Sequence, residues 1–131
     1  MHRVTSYVHL LSKEARRKII EVLASSRGVR RLADELGVTP AAVSKYLRGL
    51  THPSDRVVEK AIGAATPEEA LEISKIVAEV LLEGIDDYVR WSIEKGVMDV
   101  RVYSRLSEIA ARAGLASLSS RRAAELADVK V

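Results

Sequence analysis

The chain has 131 residues, 47% apolar and 30% charged, with a formal net charge of +3, three histidines and no cysteine. That size and apolar content allow one domain, or a small domain with an appendage, around a packed core, and the lack of cysteine excludes a disulfide framework or a thiolate metal site. No apolar run approaches the roughly 20 residues of a membrane-spanning helix and no basic-then-apolar leader opens the chain, so the protein is expected to be cytoplasmic, away from membranes.

Residues 1–11 admit two readings, a short helix or an arm on a neighbouring surface, with Val4, Tyr7, Val8, Leu10 and Leu11 as the apolar groups. Ser12 is a natural N-cap. Ala15, Ile19, Val22 and Leu23, at i, i+4, i+7 and i+8, predict a first helix over about 13–25. After Gly28, residues 29–48 read as two short helices joined by a tight turn. Leu32, Ala33 and Leu36 line one face of the first, Gly37 supplies the turn, and Thr39 caps the second with Pro40 at its first position. Val43 and Leu47 bury that second helix, flanked by Tyr46, and leave Ser44, Lys45 and Arg48 outward.

A further helix is predicted near 55–64 on Val57, Val58, Ala61 and Ile62. Thr66-Pro67-Glu68-Glu69 is a capping box, and its acidic pair suits the positive end of a helix dipole. The apolar pattern then runs from Leu71 through Ile73, Ile76, Val77, Val80, Leu81 and Leu82 and on to Ile85, Tyr88, Val89 and Ile93. Gly84 is expected to kink or break this helix and Gly96 to end it. Asp99 caps another on Val102, Leu106, Ile109, Ala110 and Ala113, stopped by Gly114, and Ser119 starts a last short one through Ala123, Ala124 and Ala127. Apart from a weak alternation around Val100 and Val102 there is no strand signal, so the expected fold is all-α.

Charge is unevenly divided. Residues 1–66 hold twelve Lys/Arg against six Asp/Glu, a net of +6, and residues 67–131 hold nine against twelve, a net of −3. The expected division is a nucleic-acid-binding head over 1–66 and a helical extension over 67–131, the expected dimerisation region by its wide apolar face. On this division, a chain cut after residue 66 is expected to be a folded monomeric head.

Ala33, Gly37, Val38 and Val43, with the exit Arg48-Gly49-Leu50-Thr51-His52-Pro53-Ser54, resemble the helix-turn-helix of the Cro and lambda-repressor-like (XRE-type) family of transcriptional regulators. The exit is similar to the family's R-G-x-x-x-P-S, and the resemblance covers roughly residues 12–66. It implies a lambda-repressor-like head with a C-terminal helical extension, double-stranded DNA as partner, and the second motif helix in the major groove.

The resemblance places Thr39, Pro40, Ala41, Ser44, Lys45 and Arg48 toward the bases. Pro40 departs from the family, which often has glutamine there, and the chain contains neither asparagine nor glutamine. Bidentate amide recognition of adenine is therefore unavailable, leaving cations to guanine, hydroxyls, and apolar contact with thymine methyls. Lys45 and Arg48 are candidate guanine readers or phosphate clamps, and Ala41 a methyl contact. Arg27, Arg30 and Arg31 cluster at a helix start and, with His52, are candidate phosphate contacts. Arg16, Arg17 and Lys18 lie on the first helix, and at least part of that run reads as plain surface charge.

No metal-ligand spacing, nucleophile with its base, or phosphate loop is present, so no cofactor, metal or catalysis is expected. Nor does a polar cluster argue for a small-molecule effector. Val77, Leu81, Tyr88 and Trp91 are candidates for a homodimer interface, Trp91 having a core position as its alternative. A sequence-specific homodimeric regulator is the leading expectation, and a protein-interaction or non-specific nucleoprotein module the other. The lack of Asn, Gln and Cys is also a trend of thermophilic proteins.

Overall fold

A computed structural model describes the backbone of residues 6–129 and the side chains of 6–121. Val4 and the side chains of Ala123, Ala124 and Ala127 therefore lie outside the described residues. After a short 3-10 helix, Ser6–Leu10, come α1 (Lys13–Arg27), α2 (Val29–Leu36), α3 (Pro40–Leu47), α4 (Asp55–Ala64), α5 (Pro67–Glu94) and α6 (Val100–Val129). No strand occurs among the described residues, and the fold is all-α with a helix-turn-helix head and a C-terminal helical extension.

Local chemistry sets most of the helix starts. The hydroxyl of Ser12 accepts from the Ala15 N–H at 3.1 Å, that of Thr39 from Ala42 at 3.1 Å and that of Ser54 from Val57 at 3.3 Å. Each satisfies an amide that the helix itself cannot. At α5 the capping box is reciprocal: Thr66 N–H donates to Glu69 Oε1 at 2.9 Å and Glu69 N–H to Thr66 Oγ1 at 3.2 Å.

The chain packs as two compact units, Met1–Asp86 and Asp87–Val131. In the first, α1 contacts α2, α3 and α4. Its Ile19, Ile20 and Leu23 are fully buried, as are Leu32 and Ala33 of α2, Val43 of α3, and Val58 and Ala61 of α4. Val8 closes one end of this aliphatic core, and Ile73 of α5, 4% exposed, belongs to it as well. Each such large side chain contributes about 1.5–3 kcal/mol by leaving water.

Arg16 departs from its expected surface role. Its side chain is 11% exposed, donating to the carbonyls of Val8 at 2.9 Å, Leu11 at 3.2 Å and Pro53 at 3.1 Å and to Asp55 at 2.6 Å. It thus ties the 3-10 helix to the loop before α4. Hydrogen bonds from His9 and then Arg16 hold the Asp55 carboxyl below its usual range.

Two expected breaks are absent. α5 runs unbroken through Gly84, and α6 through Gly114 and Ser119 as one helix of 30 residues. A glycine ends a helix only by leaving helical φ, as Gly96 does at φ 67°. There the Gly96 N–H donates to Ile93 O at 3.1 Å and the Val97 N–H to Ser92 O at 2.9 Å.

 Asp99 caps α6 as expected, its carboxylate accepting from the Arg101 N–H at 2.7 Å. In the second unit Ser92 is buried and Val89, Met98, Val102 and Leu106 are half-buried around that turn, whereas residues 107–121 of α6 are all exposed.

Candidate nucleic-acid interface

α2 and α3 pack on one another across fully buried Ala33, where a larger side chain would hold them apart. Between them Gly37 adopts φ 71° and ψ 33°. Its N–H donates to Asp34 O at 3.3 Å and the Val38 N–H to Ala33 O at 3.0 Å, so the turn satisfies the last carbonyls of α2. A Cβ at Gly37 would meet Lys60 Nζ at 3.3 Å, and not the crossing at Ala33. The tip of a lysine can swing aside, so the strain of Gly37→Val lies in the backbone. A β-branched residue held at positive φ is expected to cost about 1–2 kcal/mol or more. Thermal denaturation reads this directly, and an unchanged melting temperature would refute the left-handed turn.

α3 buries Val43 completely and Ala42, Tyr46 and Leu47 in part. Pro40, Ala41, Lys45 and Arg48 are exposed along the opposite face, with Thr39 at its head and Ser44, half-buried, at its edge. Thr39 Oγ1 is committed as acceptor to the cap and keeps its proton to donate. Gly49, at φ 73°, ends the helix directly after Arg48, with the Leu50 N–H donating to Lys45 O at 3.0 Å.

Lys45, Arg48 and Arg30 are exposed and make no side-chain hydrogen bond or ion pair among the described residues. Arg31 is 72% exposed and only loosely held, with Nε 3.6 Å from Glu35 Oε2. His52 is exposed in the exit loop. Arg56, exposed on the first turn of α4, was not singled out in the sequence. Its position just after the Pro53-Ser54 exit was the available signal.

Arg27 does not join this exposed set. Its side chain is 8% exposed and donates to Glu35 Oε1 at 2.9 Å, to Ala64 O at 3.3 Å and to Glu69. Glu69 also accepts from the Ser26 hydroxyl. Burial alone would raise the Glu69 carboxyl, but the hydrogen bonds from Ser26, the Thr66 amide and Arg27 outweigh it and hold the group at about 2. Glu35 first, and Glu69 next, push the Arg27 guanidinium upward. Arg27 is therefore a clasp between α1, α2 and the start of α5, buried and bonded to two carboxylates and a carbonyl instead of being exposed to a phosphate.

Val77 and Leu81 are half-buried in the first unit, where they line an apolar groove of about 430 Å³ with Tyr7, Ile62, Ala65 and Ile73. Tyr88 and Trp91 belong to the second unit and are 44% and 51% exposed, with ring centroids 6.4 Å apart. Exposure rules out the core alternative for Trp91.

Among the described residues no cluster of His, Cys, Asp and Glu could hold a metal, and no helix is long and apolar enough to cross a membrane. A comparison with protein families matches residues 26–64 to the family described as helix-turn-helix. Neither a curated protein nor a solved structure matches the chain. Domains of the matched kind belong to DNA-binding regulators, not to enzymes. The match begins at the end of α1, spans α2, the Gly37 turn and α3, and ends with α4, so residues 26–64 of this chain match a helix-turn-helix domain.

Proposed function

We propose that the protein is a sequence-specific transcriptional regulator that binds duplex DNA as a homodimer, with α3 in the major groove. The observation that carries this is the outer face of α3: exposed Thr39, Pro40, Ala41, Lys45 and Arg48 on a helix anchored by Val43. Short side chains at its start permit close approach to base edges, and Lys45 and Arg48 supply cations without partners among the described residues. Arg30, Arg31, Arg56 and His52 supply the backbone contacts. Duplication on a two-fold axis presents two such helices to half-sites about 34 Å apart. Residues 1–66 then serve DNA and residues 67–131 serve assembly, where exposed Tyr88 and Trp91 offer aromatic anchors.

The test is a titration of duplex DNA at several salt concentrations. Each phosphate neutralised contributes about 0.9 to the slope of log affinity against log salt. Steep salt dependence is expected, and a flat response removes the DNA-binding role. Arg30→Ala should lower the slope by about 1 on specific and random DNA alike, because a phosphate contact is blind to sequence. Lys45→Ala should instead cost about 1–3 kcal/mol on the preferred site and relax base preference there. Equal loss on both DNAs for Lys45→Ala would remove it from the reading set.

A further inference from the structure

We propose that Arg16 is a positioning residue for DNA binding: it fixes the loop after α3 and the start of α4 so that His52 and Arg56 meet the phosphate backbone while α3 lies in the groove. The proposal rests on the DNA-binding reading above and names what holds its backbone contacts in place.

The loop between α3 and α4 is pinned at its two ends by local bonds. The Leu50 N–H donates to Lys45 O at 3.0 Å, and the Val57 N–H to Ser54 Oγ at 3.3 Å. Over residues 51–53 between them, the only hydrogen bond among the described residues is the one that Arg16 Nη1 donates to Pro53 O at 3.1 Å. Arg16 Nη2 donates to Asp55 Oδ1 at 2.6 Å and to Val8 O at 2.9 Å, and Nε to Leu11 O at 3.2 Å. One planar guanidinium thus holds the loop and the first turn of α4 against the 3-10 helix and the start of α1. A lysine ammonium, a point charge on a flexible stem, does not offer that fork.

The two residues that Arg16 holds adjoin the two candidate phosphate contacts. His52 precedes Pro53 and Arg56 follows Asp55, and both are exposed. Neighbours on a helix are turned about 100° from one another, so drawing Asp55 inward turns Arg56 away from Arg16. A loop fixed before binding also spares the complex the entropy of ordering it. The Arg16 side chain is 11% exposed, so it acts through this loop and not as a phosphate ligand. Thr39, Lys45 and Arg48 make no hydrogen bond to it, which separates its effect from base reading by α3.

The test is the salt dependence of duplex binding by the full-length chain, each variant held well below its melting transition as read by circular dichroism. Removing both contacts, His52→Ala with Arg56→Ala, should lower the slope of log affinity against log salt by at least about 0.9, the share of one phosphate. Arg16→Lys keeps the charge but loses the fork, and should lower the slope by a similar amount with base preference unchanged. In the His52→Ala, Arg56→Ala background it should lower the slope no further. A residue that only stabilises the fold would leave the slope alone in both backgrounds. Asp55→Ala separates position from charge by sign, and carries the same comparison should Arg16→Lys not fold. It raises the net charge by one, so charge alone would tighten binding, whereas loss of the anchor should weaken binding and flatten the slope. The proposal is overturned by a parent slope for Arg16→Lys, by an equal loss in both backgrounds, or by tighter binding of Asp55→Ala. A steep parent slope that His52→Ala with Arg56→Ala leaves intact overturns it alone, and a flat parent slope overturns it together with the DNA-binding reading.

Discussion

A chain ending at Thr66 is expected not to fold stably, whereas a chain ending at Asp86 is expected to melt cooperatively. The charge division places a boundary at residue 66, but the packing carries the first compact unit to Asp86. Cutting after Thr66 removes Ile73 from the core, a loss of about 1.5–3 kcal/mol. It also strips Glu69 from Arg27, and breaking a buried pair typically costs about 3–5 kcal/mol. The half-buried Ile76, Val77 and Val80, packed against the same core, go with them. Together these losses rival the roughly 5–15 kcal/mol by which a whole domain is stable. Circular dichroism melts of the two chains decide the matter, and a 1–66 chain as stable as the 1–86 chain would overturn the account.

Signals confined to a few residues were legible in the sequence. The hydroxyl caps at Ser12 and Thr39 and the Thr66–Glu69 box mark helix starts that the structure reproduces, because each needs only residues three apart. The glycines were legible only in part. Gly114 is followed by Leu115 and Ala116, strong helix formers, and keeping it helical costs about 1 kcal/mol. Stopping there would forfeit every later turn of α6. Gly96 is followed instead by a short segment leading to Asp99, which caps the next helix, so a left-handed turn has a use. A glycine by itself does not say which outcome applies.

The same distinction divides the candidate site. The outer face of α3 follows from the spacing of Val43 and Leu47, which decides locally which way Lys45 and Arg48 point. Arg16 read as part of a basic surface run and Arg27 as a phosphate contact, but their partners lie across the fold. Asp55 is 39 positions from Arg16, and Glu69 is 42 from Arg27. Arginine is long enough to reach such partners, and no periodicity along the chain records that it does. The result is a smaller exposed cationic set than the charge count implies, with Arg30, Arg31, Lys45, Arg48 and Arg56 in it and Arg16 and Arg27 withdrawn.

Replacing Arg27 with alanine is therefore expected to act on stability before it acts on DNA. It leaves Glu69, 8% exposed, without its cation, and the expected cost is about 3–5 kcal/mol. For a unit of this size that lowers the melting temperature by about 10 °C or more. Glu69→Gln probes the same clasp from the other side, and its effect should depend on pH. The carboxyl sits at about 2 in the folded chain against 4.5 as the ordinary value, so it is depressed by folding. The unfolded chain then binds the proton more readily, and the stability from Glu69 is fully present above the ordinary value. It declines as pH falls from 4.5 through about 2. The gap in melting temperature between the parent chain and Glu69→Gln should thus be wide and constant above about pH 5.5 and narrow progressively on acidification. Other carboxylates, Asp55 among them, titrate in both chains and cancel from the difference. A gap that stays constant down to the acid limit would mean that the Glu69 charge contributes nothing and that the clasp is held by shape alone.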